Sequence, residues 1–95
     1  MILSIAHAPV EDPDAEYIFG AWSEIAVGDR PEGLVDCYLS RGDDDVYMVS
    51  VWESMEAHEN ALADKASHPN FGFFEACGLD PTHQIYDVVG RLVRK

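Results

Sequence analysis

Histidines, tryptophans and a group of phenylalanines are the residues of this 95-residue sequence best suited to binding and activating a small molecule. His7 lies in the first apolar run and Trp22 in a helical pattern. Trp52 closes a β-rich run, and His68, Phe71, Phe73 and Phe74 crowd one short stretch. An imidazole exchanges protons near neutrality, and aromatic walls around a few polar groups are the usual lining of a pocket for a flat aromatic ligand. A core rich in aromatics would contain the same residues. His68, just before Pro69, reads as a helix-end residue satisfying backbone carbonyls before it reads as a base.

Other chemistries lack their residues. His58-Glu59 begins like HExxH, but the place of the second histidine is taken by Leu62, so no pair of metal ligands shares a helical face. Gly72 and Gly78 lack the strand, spacing and lysine of a phosphate loop, and no serine sits in G-x-S-x-G. Cys37 and Cys77 match neither a metal knuckle nor a redox pair and read as reduced thiols of a cytoplasmic protein.

Eighteen acidic against six basic residues give a net charge of -12, spread along the chain. That balance repels phosphate backbones and anionic headgroups, so neither nucleic acid nor a membrane surface is an expected partner. The opening residues lack the basic segment and long apolar stretch of a signal peptide, and no run approaches the ~20 apolar residues of a spanning helix. With 47% apolar and 25% charged residues the chain has globular proportions, and its length suits one domain over 1–95.

The elements that must position these side chains follow from periodicity. Residues 2 to 8 read as a strand closed by Pro9. Asp12-Pro13 reads as a helix start, and Ala15, Ile18, Phe19, Trp22, Ile25 and Ala26 then fall on one face of a helix ending near Gly28. Residues 34 to 40 alternate, with Val35, Cys37 and Leu39 opposing Leu34, Asp36, Tyr38 and Ser40. A polar turn over 41–45 joins them to a strand from Val46 to Trp52. Ser54 caps a helix from about Met55 to Ala66. His68-Pro69 interrupts it, a shorter apolar helix runs from Asn70 to Cys77 and ends at Gly78, and a last strand covers 84–89.

The order βαββαβ is the ferredoxin-like α+β arrangement, a four-stranded antiparallel sheet with its helices on one face. The third strand is apolar on both sides, Val46, Met48 and Trp52 against Tyr47, Val49 and Val51, so the uncovered face calls for a second copy of the chain, a homodimer.

The stretch from Val46 through Trp52-Glu53-Ser54 to Ala57, followed by His68-Pro69, resembles the central signature of the antibiotic biosynthesis monooxygenase family, whose fold is a dimeric α/β barrel. The resemblance covers the chain in element order and positions 46 to 69 residue by residue. It implies a monooxygenase without metal, flavin or haem. A small quinol-like aromatic is held deprotonated in an apolar cleft and itself passes an electron to dioxygen. Trp52 would line that cleft, with Trp22, Met48, Phe71 and Phe74 as further substrate-binding residues and His7 or His68 as proton acceptor. Two features depart from the family pattern. Met48 stands where some quinol-oxidising members carry asparagine. For haem degradation His58 is a poorly placed ligand, and the first strand has Ser4 and His7 but no asparagine.

Fold alone licenses no activity. A non-catalytic small-molecule-binding or regulatory dimer and a non-oxidative enzyme of the same superfamily remain open beside the monooxygenase. A histidine buried near Trp52 favours the enzyme, and a cleft filled by Phe71, Phe73 and Phe74 disfavours it.

Overall fold

A computed structural model describes residues 1–64 and 67–94 of the chain. Seven elements follow in order: β1 (Ile2–Pro9), α1 (Glu16–Val27), β2 (Leu34–Arg41), β3 (Asp45–Trp52), α2 (Met55–Leu62), α3 (Pro69–Cys77) and β4 (Thr82–Asp87). The strands form one antiparallel sheet in the order β2-β3-β1-β4. This is the expected ferredoxin-like α+β fold. The second helix and the shorter helix after it are present as α2, which closes at Leu62, and α3; the expected end of the former at Ala66 lies outside the described residues.

Strand alternation sorts the sheet into two faces. In β1, Ile2, Ser4, Ala6 and Ala8 are buried while Leu3, Ile5 and His7 are half-buried. In β3, Val46, Met48, Ser50 and Trp52 are buried and Tyr47, Val49 and Val51 half-buried. The buried set lies beneath the helices. There α3 packs on β1 and β3, α1 leans on α3, and α2 sits against β3. Ala6, Ala8, Val46, Met48, Ile18, Ala21, Phe73 and Phe74 close one core cluster, and Ile2, Trp52 and Ala61 form a second. Each phenylalanine removed from water contributes about 1.5–3 kcal/mol.

The departures from expectation have local causes. Asp12 does not start α1. Its carboxylate accepts from the Asp14 N–H at 3.0 Å and its carbonyl from the Ala15 N–H at 3.1 Å, which makes a separate turn one step before the helix. Within α1 the stripe is Ile18, Ala21, Trp22 and Ile25, which leaves Phe19 47% exposed. An irregularity between Leu34 and Asp36 breaks the β2 alternation, so Leu34 pairs with Trp52 and packs with it rather than facing away. β4 stops at Asp87 because β1, its partner, begins at Ile2; one further bond runs from the Val88 N–H to the Met1 carbonyl. Gly33, at φ +84°, brings the start of β2 so close to α2 that a Cβ there would collide with Ala57.

Candidate functional site

Period-two alternation places two hydroxyls where hydrocarbon would be expected. Ser4 falls between Ile2 and Ala6, and Ser50 between Met48 and Trp52. The two residues pair across β1 and β3, both fully buried under the helices. Over them lie short helices with well-made starts. Ser54 caps α2 by accepting from the Ala57 N–H at 3.1 Å, and the helix then turns His58 and Ala61 inward. His68 caps α3, its Nδ1 accepting from the Asn70 N–H at 3.2 Å, with Pro69 in the first turn. His68 thus serves a helix start, satisfying an N–H group, and not the helix end with its carbonyls that its position before Pro69 suggested.

The result is a polar knot centred on the Ser4 hydroxyl. Its Oγ lies 2.7 Å from His83 Nε2 and 3.2 Å from His58 Nε2. It also accepts from Asn70 Nδ2 at 3.2 Å, and the same amide group donates to the Ser4 carbonyl at 3.2 Å. The carbonyl can only accept, so the Asn70 amide orientation is fixed. Trp52 donates its indole N–H to Ser50 Oγ at 2.8 Å. Its ring stands edge-on to His58 with centroids 5.6 Å apart and tilted against His68 at 5.0 Å. Phe71 meets the rings of His68 and His83 edge-on, at 5.1 and 4.8 Å.

Three buried polar atoms of this knot have no partner: His58 Nδ1, His68 Nε2 and Asn70 Oδ1. Leaving such groups unpaired costs about 1–3 kcal/mol each, so their concentration in one place makes the knot a candidate site. Their characters differ. Because His68 Nδ1 accepts from a backbone N–H, the neutral ring carries its proton on Nε2 and offers a donor. Asn70 Oδ1 offers an acceptor. Burial keeps these rings neutral. It pushes His68 down to about 3, with help from His58 and His83. His58 is lowered by burial and then by His83, against the opposing pull of Glu59, and His83 by burial alone.

A cleft of about 570 Å³ opens beside the knot, lined among others by Trp22, Ile25, Leu34, Cys37, Ser67 and Pro69. Ser67 and Pro69 flank His68 in the chain, and Leu34 packs with Trp52, so the lining reaches the neighbours of the polar knot, while the knot's own side chains are buried behind it. Burial raises the Cys37 thiol to about 11, which keeps it protonated and unreactive. Among the described residues no group of three or more His, Cys, Asp or Glu could hold a metal ion, and no helix is long and apolar enough to cross a membrane.

Of the residues singled out from sequence, Trp52, His68 and Phe71 come together in the knot and Trp22 lines the cleft. Met48 and Phe74 are instead sealed in the hydrocarbon core beside Phe73. His7 does not join the others between sheet and helices. Alternation turns it to the opposite face, where it stacks on Tyr47 at 4.8 Å. Ser4, Asn70, His83 and the inward role of His58 were missed. Ser4 could have been found as the polar member of the series Ile2, Ser4, Ala6, Ala8; the histidines become neighbours only through tertiary packing.

These features define a ferredoxin-like domain with a polar, aromatic-walled candidate site between sheet and helices. Solved structures of antibiotic biosynthesis monooxygenases have the same fold. SnoaB from Streptomyces nogalater, described as a cofactor-independent oxygenase, is 20% identical with a TM-score of 0.66 over 98% of this chain and 97% of that one. The ActVA-Orf6 monooxygenase of Streptomyces coelicolor, in complex with nanaomycin D, is 18% identical with a TM-score of 0.70 over 99% and 92% of the two chains. A further antibiotic biosynthesis monooxygenase is 14% identical with a TM-score of 0.67 over 95% and 100%. No family model and no curated protein matches the sequence.

Proposed function

We propose that this protein is a monooxygenase of the antibiotic biosynthesis type, acting without a resident cofactor on a small aromatic hydroxy compound. The observation that carries the reading is the set of unpartnered buried atoms among the residues packed around Trp52: His68 Nε2, which can donate, and His58 Nδ1 and Asn70 Oδ1. One phenolic or quinolic hydroxyl complements that set, because it accepts one hydrogen bond and donates another. As the hydroxyl ionises, the His68 N–H becomes a charge-assisted donor to the oxyanion, whose strength rises in a dry site. Trp52 and Phe71 supply aromatic edges and faces for the ring, which as an anion is the electron donor to dioxygen. In this arrangement His68 stabilises the anion rather than removing the proton, and His7 takes no part.

The fold shared with SnoaB and with ActVA-Orf6, which was solved with nanaomycin D bound, supports the same reading. So does the open sheet face, where Leu3, Ile5, Val49 and Val51 lie between Tyr38, 53% exposed, and Tyr86, 48% exposed. A homodimer would cover it. The two free cysteines suit the reducing cytoplasm.

Oxygen uptake with naphthalene and anthracene quinols, chelator present and no cofactor added, tests the proposal. Uptake above the uncatalysed rate that falls in Trp52→Phe and His68→Ala is the expected result. Binding of the quinols without uptake would make the protein a binding dimer, and turnover that continues without oxygen would make it a non-oxidative enzyme.

A further inference from the structure

The Ser4 hydroxyl has one proton to give and two lone pairs to share, yet three nitrogens surround it. Asn70 Nδ2 can only donate and takes one lone pair. One proton and one lone pair are left for His58 Nε2 and His83 Nε2, so one of these rings must donate to Ser4 while the other accepts from it. The shorter contact is assigned to the hydroxyl as donor. The 2.7 Å contact to His83 has the length of a hydroxyl donating its proton, and the 3.2 Å contact to His58 suits the longer N–H···O bond. His58 then carries its proton on Nε2, which leaves Nδ1, the unpartnered buried atom, as a bare lone pair.

We infer that His58 Nδ1 is the base that takes the substrate proton, and that Ser4 and His83 form a wire carrying that proton to the edge of the sheet. The inference rests on the proposed oxidation of an aromatic hydroxy compound for its substrate, but the wire itself is a property of the protein alone. The substrate O–H bond breaks and its electron pair stays on oxygen as the proton joins His58 Nδ1. His58 Nε2 releases its own proton to Ser4 Oγ, Ser4 passes its hydroxyl proton to His83 Nε2, and His83 loses the proton on Nδ1 to water. One proton leaves the substrate and one enters solvent, so no ring holds a net charge afterwards. A proton returning along the same path restores both tautomers. His83 suits the outer end, being half-buried on the edge strand β4. It stacks on His58 with centroids 5.8 Å apart. Burial lowers both rings, so that neither traps the proton in transit.

His58 is by this account a catalytic residue, and Ser4 and His83 are positioning residues that act through it. Long-range 15N–1H NMR of the imidazoles at pH 8 tests the wire without substrate. The expected tautomers are Nε2–H for His58 and Nδ1–H for His83, and His83 reverts to the commoner Nε2–H form in Ser4→Ala. Ser4→Thr, which keeps the hydroxyl, retains the wild-type pattern. His58 found with its proton on Nδ1, or His83 on Nε2 in the wild type, overturns the inference.

With an oxidisable quinol, His58→Gln lowers kcat by about 100-fold, the lower end of a general base's contribution. Ser4→Ala lowers kcat with KM unchanged, and Ser4→Thr restores it. The expected tautomers without any quinol oxidation would remove the proposed function and leave the wire standing. Oxidation indifferent to Ser4 and His58 would do the reverse.

Discussion

Two halves of one sheet face are built on opposite principles. Toward the β1 C-terminus, Ala6, Ala8, Val46 and Met48 meet Ile18, Phe73 and Phe74, and no polar side chain intrudes. Toward its N-terminus, Ser4, Ser50, His58, His68 and Asn70 are buried to the same depth around Trp52. The same strands supply both halves and α3 covers both, so neither topology nor propensity explains the contrast. A chain selected for stability alone would have continued the hydrocarbon, since well-packed apolar groups match or outdo buried polar ones of similar shape. One half therefore holds the fold, and the other sacrifices stability to keep unpaired donors and acceptors in a dry place.

The largest effect expected from this division belongs to the hydrocarbon half. Phe73→Ala should cost about 3–5 kcal/mol in urea unfolding, the range for deleting a fully buried aromatic ring. A cost under about 1 kcal/mol would mean that this half is loosely packed, and the contrast would lose its structural side.

The polar half should reveal itself through pH. His58, His68 and His83 all have lowered proton affinity in the fold, and His68 falls to about 3 from an ordinary 6.5. Well above pH 6.5 the rings are neutral in both states and have no effect. As pH falls through 6.5 the unfolded chain takes up protons that the folded chain refuses, so stability is lost on acidification, by up to about 1.4 kcal/mol per pH unit for His68, with His58 and His83 acting in the same direction. Urea midpoints between pH 6.5 and 5.5, before carboxylates titrate, should therefore fall. The fall should be shallower in His68→Gln and unchanged in Phe73→Ala. A midpoint flat across that window would mean that the three rings are solvated.

The division was half legible in the sequence. Period-two and helical patterns located every strand and helix, because burial of one face is a property of neighbours in the chain. The hydrophobic half follows the same logic, and Trp52 and His68 were found through the Trp-Glu-Ser and His-Pro motifs. Ser4, His83 and Asn70 became a site only when residues up to 79 positions apart met around one hydroxyl. No local pattern encodes that meeting. His7 shows the converse: a strand of known period was in hand, yet its chemistry drew it into the site when its odd position in the series Leu3, Ile5, His7 turned it away.

The smallest effect tests whether the polar half is held locally or by the whole fold. α2 has eight residues, too few to be stable alone, and presents His58 from a start capped by Ser54. Ser54→Ala should cost about 1 kcal/mol, which is roughly a five-fold loss of protection in amide hydrogen exchange. If the halves open separately, that loss is confined to the α2 amides while those of β1 and β3 beside Met48 and Phe73 keep theirs. An equal loss across the sheet would mean that the halves open together, and α2 could not then release or admit a ligand without unfolding the hydrocarbon core beside it.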